Sequence, residues 1–428
     1  MELKWITKAH SQTANNLIIE SIPFEYDDYC NQYNELAKDE KSKYKGIDNY
    51  IEAISGFSLR PTQINYRKLE KEIRSNIDSE EFNTFFPIDM FSDSETIMDL
   101  LGSLENTTYI KNIYKIKKKT FNGSLKEDTT TKIMDSFRQG RKLLLSAKNA
   151  NMLSKPLIDF YAASAYAYAS IVINSPIHKS FDSLKGSHGH SYNHKDGTIV
   201  FGGDCPSGTF IDLLISNYLP QVVFNDDVQF KYSALPSLEF VQKNSIQISL
   251  LALLSTVPEL QGQVLSIENS KRQVYKLKIE SSIKNKKVAF VFTIGDGKNK
   301  PEKNSLVKPF NLNGESEIED VDGKYRITIH SDSIESIMPT IYQDLKGELW
   351  YIDPLIPSLY IPEACLHFLI ISALCNIMRY SPFEWNNILS NRISSEFSLL
   401  ISKYLHLFEL KYPMLIVEQL TVHKPILL

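Results

Sequence analysis

The chain has 428 residues, enough for two or three domains. Hydrophobic residues make up 43% and charged residues 23%, the balance of a globular chain with a real core and not of a disordered one. A net charge of −4 excludes a globally basic binder of nucleic acid or acidic membrane, so any such surface must be local.

The four cysteines, Cys30, Cys205, Cys365 and Cys375, are scattered and none has CxxC spacing, so neither a disulfide framework nor a zinc knuckle is expected. The start, MELKWITKAHSQ, has no basic stretch followed by an apolar one, so it does not read as a signal peptide. The longest apolar runs, 160–173 and 368–378, fall short of the roughly 20 residues that cross a bilayer. A cytoplasmic protein with no membrane partner is the expectation.

Taken in chain order, residues 1–60 are polar and rich in Tyr and Asn, and TQINYRKLEKEIRSNI (62–77) has helical spacing. YIKNIYKIKKKTF (109–121) alternates Ile and Tyr with Lys, which predicts a strand. Lys111, Lys115, Lys117 and Lys119 would share one face of it, either guarding a sheet edge or contacting phosphates without reading sequence. From 133 to 174 the apolar period becomes helical, with Gly140 inside the pattern and Pro156 near the second start, which predicts an antiparallel helical pair. The second member is small and aromatic nearly all round, hence enclosed, and Ala162, Ala163, Ala165 and Ala169 would let a neighbour approach closely.

A histidine-rich loop follows, GSHGHSYNHKDG, and then TIVFGGDCPSGTFIDLLIS reads as strand, turn and helix. SIQISLLALLSTVPEL (245–260) reads as one buried helix. From about 264 to 353 the period is two, with Gly/Asn/Lys turns such as GDGKNK, predicting a β-rich insertion. Helices return over 363–380 and onward to about Leu420. The expected fold class is therefore α+β: an N-terminal region 1–130 whose fold the pattern leaves open, a helical body in two parts (131–262 and 356–428), and a β-rich insertion at 263–355.

Three stretches resemble one family. FRQGRKLLLSAKNANMLSKPLIDFY (137–161), SHGHSY (187–192) with SGTF (207–210), and FLIISALCNIMRYSPFEWNNIL (368–389) are similar to segments of the YaaC-like family of bacterial cytosolic proteins, over roughly 133–425. The resemblance implies a helical body and little about activity, since members are generally described as uncharacterised; an anti-phage defence locus is a setting it allows. A looser likeness links the Lys-Pro-led helical pair to HEPN-type helical domains. HEPN ribonucleases use an Arg followed four to six residues later by a His as acid/base; the nearest approach, Arg326 to His330, lies on a predicted strand.

Four of the nine histidines, His178, His188, His190 and His194, fall within seventeen positions. His188, His190 and His194 with Asp204 and Cys205 offer enough N, O and S donors for zinc. Against that, the loop is rich in Gly, Asn, Asp and Ser, where histidine is one more polar residue, and a Gly after His suits a left-handed turn. We expect no metal and no cofactor, with His188 mattering for the turn or as a binding or catalytic group. Arg379, Tyr380, Pro382 and Trp385 form a second group: Arg379 either closes its helix C-terminus or holds an anion, with Trp385 as a stacking surface or an interhelical filler. Arg141 and Lys155 could join His188 and Arg379 around a ligand. No P-loop, G-x-G-x-x-G, nucleophile elbow or H-E-x-x-H occurs. The reading is a non-enzymatic binding or assembly subunit whose partner is another protein or a second copy; the alternative is an enzyme acting on RNA or a nucleotide through His188 and Arg379.

Overall fold

The computed structural model describes residues 94–117 and, with short interruptions, 125–420, together with 34–37, 41–43, 84–88 and 423–427. The helix expected over 62–77 lies outside these residues. Strand β1 (Thr84–Ile88) pairs in parallel with β13 (His423–Leu427). Helices α1 (Ser94–Ser103), α2 (Thr107–Lys117), α3 (Glu127–Lys148) and α4 (Lys155–Asn174) follow.

Residues 109–117 are not a strand. The stretch from Thr107 to Lys117 is α2, and its start is set by Asn106, whose Oδ1 accepts the Tyr109 backbone N–H at 3.0 Å. Ile110, Ile113 and Tyr114 are all buried, and that i, i+3, i+4 spacing outweighs the alternation with lysine. The single basic face expected of Lys111, Lys115, Lys117 and Lys119 is lost with the strand. On a helix, positions 111 and 115 fall on one side and 117 on the other, because each residue turns about 100°. Lys111 pairs with Glu127, and Lys119 lies outside the described residues.

The helical pair α3–α4 forms as expected, and the reason for Gly140 is visible. A Cβ there would stand 2.6 Å from Cε2 of Tyr166 on α4, and Tyr166 is fully buried. Helix α4 is enclosed by α3, by α5 (Thr209–Ser216), and by the C-terminal helices α9 (Glu363–Tyr380) and α11 (Ser395–Leu420). At 20 residues it is long and apolar enough to cross a bilayer, yet most of its side chains are packed inside the protein, Tyr161 being the exposed one. Between α9 and α11 lies the short α10 (Pro382–Leu389), turned 112° from α9, with Pro382 as its first residue and Trp385 buried.

Strands β2 (His190–Asn193), β3 (Thr198–Gly202) and β6 (Ser245–Ser249) make a three-stranded antiparallel sheet against this body. A separate hairpin joins β4 (Gln221–Asn225) to β5 (Val228–Tyr232). Residues 245–260, expected as one helix, divide at Ser249. Ile246 and Ile248 alternate inward on β6, and Ser249 Oγ accepts the Ala252 N–H at 3.1 Å to start α6 (Leu250–Ser255), with the short α7 (Gln261–Val264) beyond.

The β-rich insertion is a six-stranded sheet in the order β11-β12-β7-β8-β10-β9, all pairs antiparallel. Its strands are β7 (Val274–Lys284), β8 (Lys287–Ile294), β9 (Glu319–Val321), β10 (Lys324–His330), β11 (Thr340–Gln343) and β12 (Leu349–Ile352). It has its own core, centred on Phe290, Phe292, Ile327 and Tyr351 and closed by Leu306 of α8 (Lys303–Val307) and by Phe310. The protein is thus α+β, with one large helical core and a second core inside the sheet.

Gly140→Ala tests the α3–α4 contact with an inverted sign. In an open helix the change gains about 1 kcal/mol of helix propensity. Here overpacking against Tyr166 should outweigh it and destabilise by about 1–3 kcal/mol in total, read as a lowered thermal midpoint. Ala165→Leu on the buried face of α4 should act in the same direction and by a similar amount.

Candidate functional site

The three sequence stretches singled out above are far apart in the chain and meet at one place. From the first comes Phe160, one residue past Asp159 on α4. From the second comes the turn Ser187–His188–Gly189 with the start of α5. From the third come Ser372 in the middle of α9, Arg379 and Tyr380 in its last turn, and Ser381 just past it. The turn is built from backbone. Gly189 has φ +74° and Gly208 φ +130°, and a Cβ on Gly208 would stand 2.5 Å from the Gly189 nitrogen. Ser187 O accepts Thr209 N–H at 2.8 Å and His188 O accepts Phe210 N–H at 3.0 Å, so the carbonyls of one stretch satisfy the free amides that open α5.

His190 locks this turn. Its Nδ1 lies 3.0 Å from His188 O, an acceptor, so Nδ1 carries the proton. Nε2 then accepts from Ser372 Oγ at 2.6 Å, tying β2 to α9. Burial pushes the imidazole down to about 4, so it stays neutral and keeps both bonds at physiological pH. His194 Nδ1 bonds Ser381 Oγ at 2.8 Å, and His178 Nε2 lies 3.1 Å from Asp212 Oδ1. Each of these histidines therefore turns to a different partner. Among the described residues no group of three or more His, Cys, Asp or Glu is placed to hold a metal ion; Asp204 and Cys205 lie outside them.

His188 is the exposed member. Its ring meets the edge of Phe160 at a centroid distance of 5.2 Å, and partial burial together with the Arg379 charge holds its imidazole below the usual range. Arg379 is exposed in the last turn of α9 and lies 4.9 Å over the Tyr380 ring. Of the four candidate ligand-binding residues, His188 and Arg379 are the exposed ones. Arg141 is held by Glu105, whose hydrogen bond keeps the guanidinium charged, on the α1–α3 side of the body. Lys155 is buried, with Nζ 2.5 Å from Glu409 Oε1 and 2.8 Å from Ala147 O. Trp385 is enclosed, as an interhelical filler and not a stacking surface, and the exposed ring beside Arg379 is Tyr380.

A polar cluster that sequence reasoning missed lies inside the same helices. Asp159 stands one turn from Lys155, fully buried, and neither carboxyl oxygen has a hydrogen-bond partner. Burial and the neighbouring Glu409 push it up to about 8. His367 on α9 stacks on Tyr404 of α11 and is held neutral by burial. Lys411 pairs with Glu363 and, at 2.7 Å, with Glu259; burial opposes its charge, but the two carboxylates hold it above its usual value. The available signal was a polar residue inside an apolar helical stretch: Asp159 in KPLIDFYAA, His367 in EACLHFLI.

These groups make stability depend on pH. Between the ordinary carboxyl value near 3.8 and about 8, folded Asp159 holds a proton that the unfolded chain has released. Stability should therefore fall as pH rises through that window, by at most about 1.4 kcal/mol per pH unit, and level above it. Asp159→Asn should flatten the profile in urea unfolding between pH 5 and pH 8. Lys155→Met leaves Glu409 uncompensated and should cost about 3–5 kcal/mol at neutral pH.

No curated protein and no solved structure shows significant similarity to the chain. A family model, described as YaaC-like protein, matches residues 100–420, which include α2, both halves of the helical body, the β-rich sheet and every residue of the His188 turn. With three quarters of its length matched by that model, the chain belongs to the YaaC-like family.

Proposed function

We propose that this protein works by binding: it is a non-enzymatic subunit of a bacterial cytosolic system, and it docks another protein on the corner where α9, α10 and α11 meet. The observation that carries this reading is apolar surface. Phe383 is 73% exposed, Leu399 58% and Ile393 56%, all within seventeen positions of chain. A large side chain left in water is ordinary when single; several on one tight corner make a patch of the kind that partners cover. The corner is also rigid enough to present them. Trp385 is buried beneath α10, and Ser398 Oγ bonds Ile388 O between α10 and α11. Anti-phage defence is the setting we attach to this reading, on family resemblance alone.

A second reading, an enzyme acting on RNA or a nucleotide, draws on the exposed His188, whose imidazole is held below its usual range by partial burial and by the Arg379 charge. The engagement of Arg141 and Lys155 with internal carboxylates favours the binding reading.

The test is native co-purification followed by reconstitution with the purified partner. Phe383→Ser with Leu399→Ser should weaken the complex at least about tenfold, whereas Val321→Ser on the exposed strand β9 should leave it intact. Equal loss in all variants, or none in any, would sink the proposed face. Light scattering that reports a dimer dispersed by the Phe383 and Leu399 changes would identify the partner as a second copy.

A further inference from the structure

The β-rich sheet has a core of its own, yet one of its hairpins belongs to both cores. Ile341 of β11 and Tyr351 of β12 are cross-strand partners in the sheet core, while the next pair, Tyr342 and Trp350, packs on the helical body. Polar groups fasten the hairpin there. Tyr342 Oη donates to Ile361 O at 2.5 Å, just ahead of α9, and the Leu345 N–H in the β11–β12 turn donates to Glu259 Oε1 at 3.0 Å. Glu259 lies in the helical turn before α7, and Lys411 of α11 donates to both of its carboxyl oxygens, at 2.7 and 3.0 Å. The same ammonium pairs with Glu363, the first residue of α9. Lys411 is 3% exposed, Glu363 10% and Glu259 14%, so one lysine is shared by two carboxylates almost out of water.

We propose that Lys411, Glu259 and Glu363 form a proton-sensitive latch that fastens the β11–β12 edge of the sheet to the helical body. With both acids ionised, the trio carries a net negative charge away from solvent; a proton on one acid balances it. Burial, reinforced by Glu259 and Glu418 and opposed by Lys411, pushes the Glu363 carboxyl up to about 7. With the proton there, Lys411 is left to Glu259 and Glu259 to the Leu345 amide. The groups facing Glu363 are Lys411 and Glu418 from α11 and Glu259 from the turn before α7. His367, one turn further along α9, is held neutral by burial and by Lys411, and the β11–β12 turn contributes its backbone amide. In the docked form Glu363 keeps its proton between its ordinary value near 4.5 and about 7, where water reaching an open cluster would let it go. The ratio of docked to open form therefore falls as pH rises through that window, by at most about tenfold per pH unit for one proton, and levels above it. Release uncovers Tyr342, Trp350 and Ile352, the face of the hairpin that packs on the helical body.

The inference goes beyond the protein-docking reading and does not need it. The experiment is hydrogen exchange of the full chain, read by mass spectrometry and corrected for the intrinsic rate, at pH 5 and pH 8. Protection of residues 340–352 should be at least about tenfold lower at pH 8. Residues 287–294 on β8 should keep theirs, because the edge of the sheet is released and its core is not unfolded. Glu363→Gln, uncharged at either pH, should hold the pH 5 protection at pH 8. Glu259→Gln leaves one acid for one ammonium and should abolish the pH response. Asp159→Asn is the control, since Asp159 titrates over an overlapping range; the response of the hairpin should persist in it. Equal protection of the hairpin at the two pH values in the native chain would overturn the proposal. So would a response that survives Glu363→Gln, one that disappears with Asp159→Asn, or a loss of protection shared equally by β8.

Discussion

A helix packed against neighbours along almost all of its surface has next to no solvent face on which to place a charge, and α4, with Tyr161 its one exposed side chain, is such a helix. Its first turn nevertheless carries Lys155 and Asp159, both buried. Lys155 is tolerable because Glu409 of α11 and the Ala147 carbonyl of α3 receive its ammonium. The pair is not evidence of high stability, since two desolvated charges of this kind often contribute little net free energy. Its consequence is registry: α3, α4 and α11 are held so that one ammonium meets both acceptors. Asp159, with no hydrogen-bond partner, is accommodated by holding its proton.

The surface corner depends on that arrangement through one residue step. Successive positions on a helix point about 100° apart, so Asp159 lies in the polar interior while Phe160 turns to the His188 ring. Phe160 also packs on Phe368 of α9, at a centroid distance of 5.8 Å. Helix α4 thus carries both the buried acid and the aromatic ring on which the His188 turn rests. His190 completes the frame by joining β2 to Ser372, and its depressed basicity makes that joint insensitive to pH across the neutral range.

Much of this architecture was legible in the residue pattern. The helical pair around 133–174, the period-two strands of the insertion and the three C-terminal helices all emerged from apolar spacing, because burial imposes 3.6 or 2 residue periods directly. Where two periods compete, the pattern misleads. YIKNIYKIKKK alternates, yet Ile110, Ile113 and Tyr114 also fit a helix, and the Asn106 cap with the waiting core decides for helix. SIQISLLALL hides a strand end behind an apolar run, and Ser249 marks the division through a bond to a backbone amide.

The sequence by itself determined the period of each strongly amphipathic element, the enclosed character of α4, the glycine turn after His188 and the proline that opens α10. These follow from local sterics and from the side chains' affinity for water, which neighbouring residues already express. The tertiary structure alone decided which charges meet. Glu409 finds Lys155 across 254 positions of chain, and Ser372 finds His190 across 182. Electrostatic and hydrogen-bond partners act over a few ångströms in space, and no spacing along the chain encodes that distance until the helices have packed.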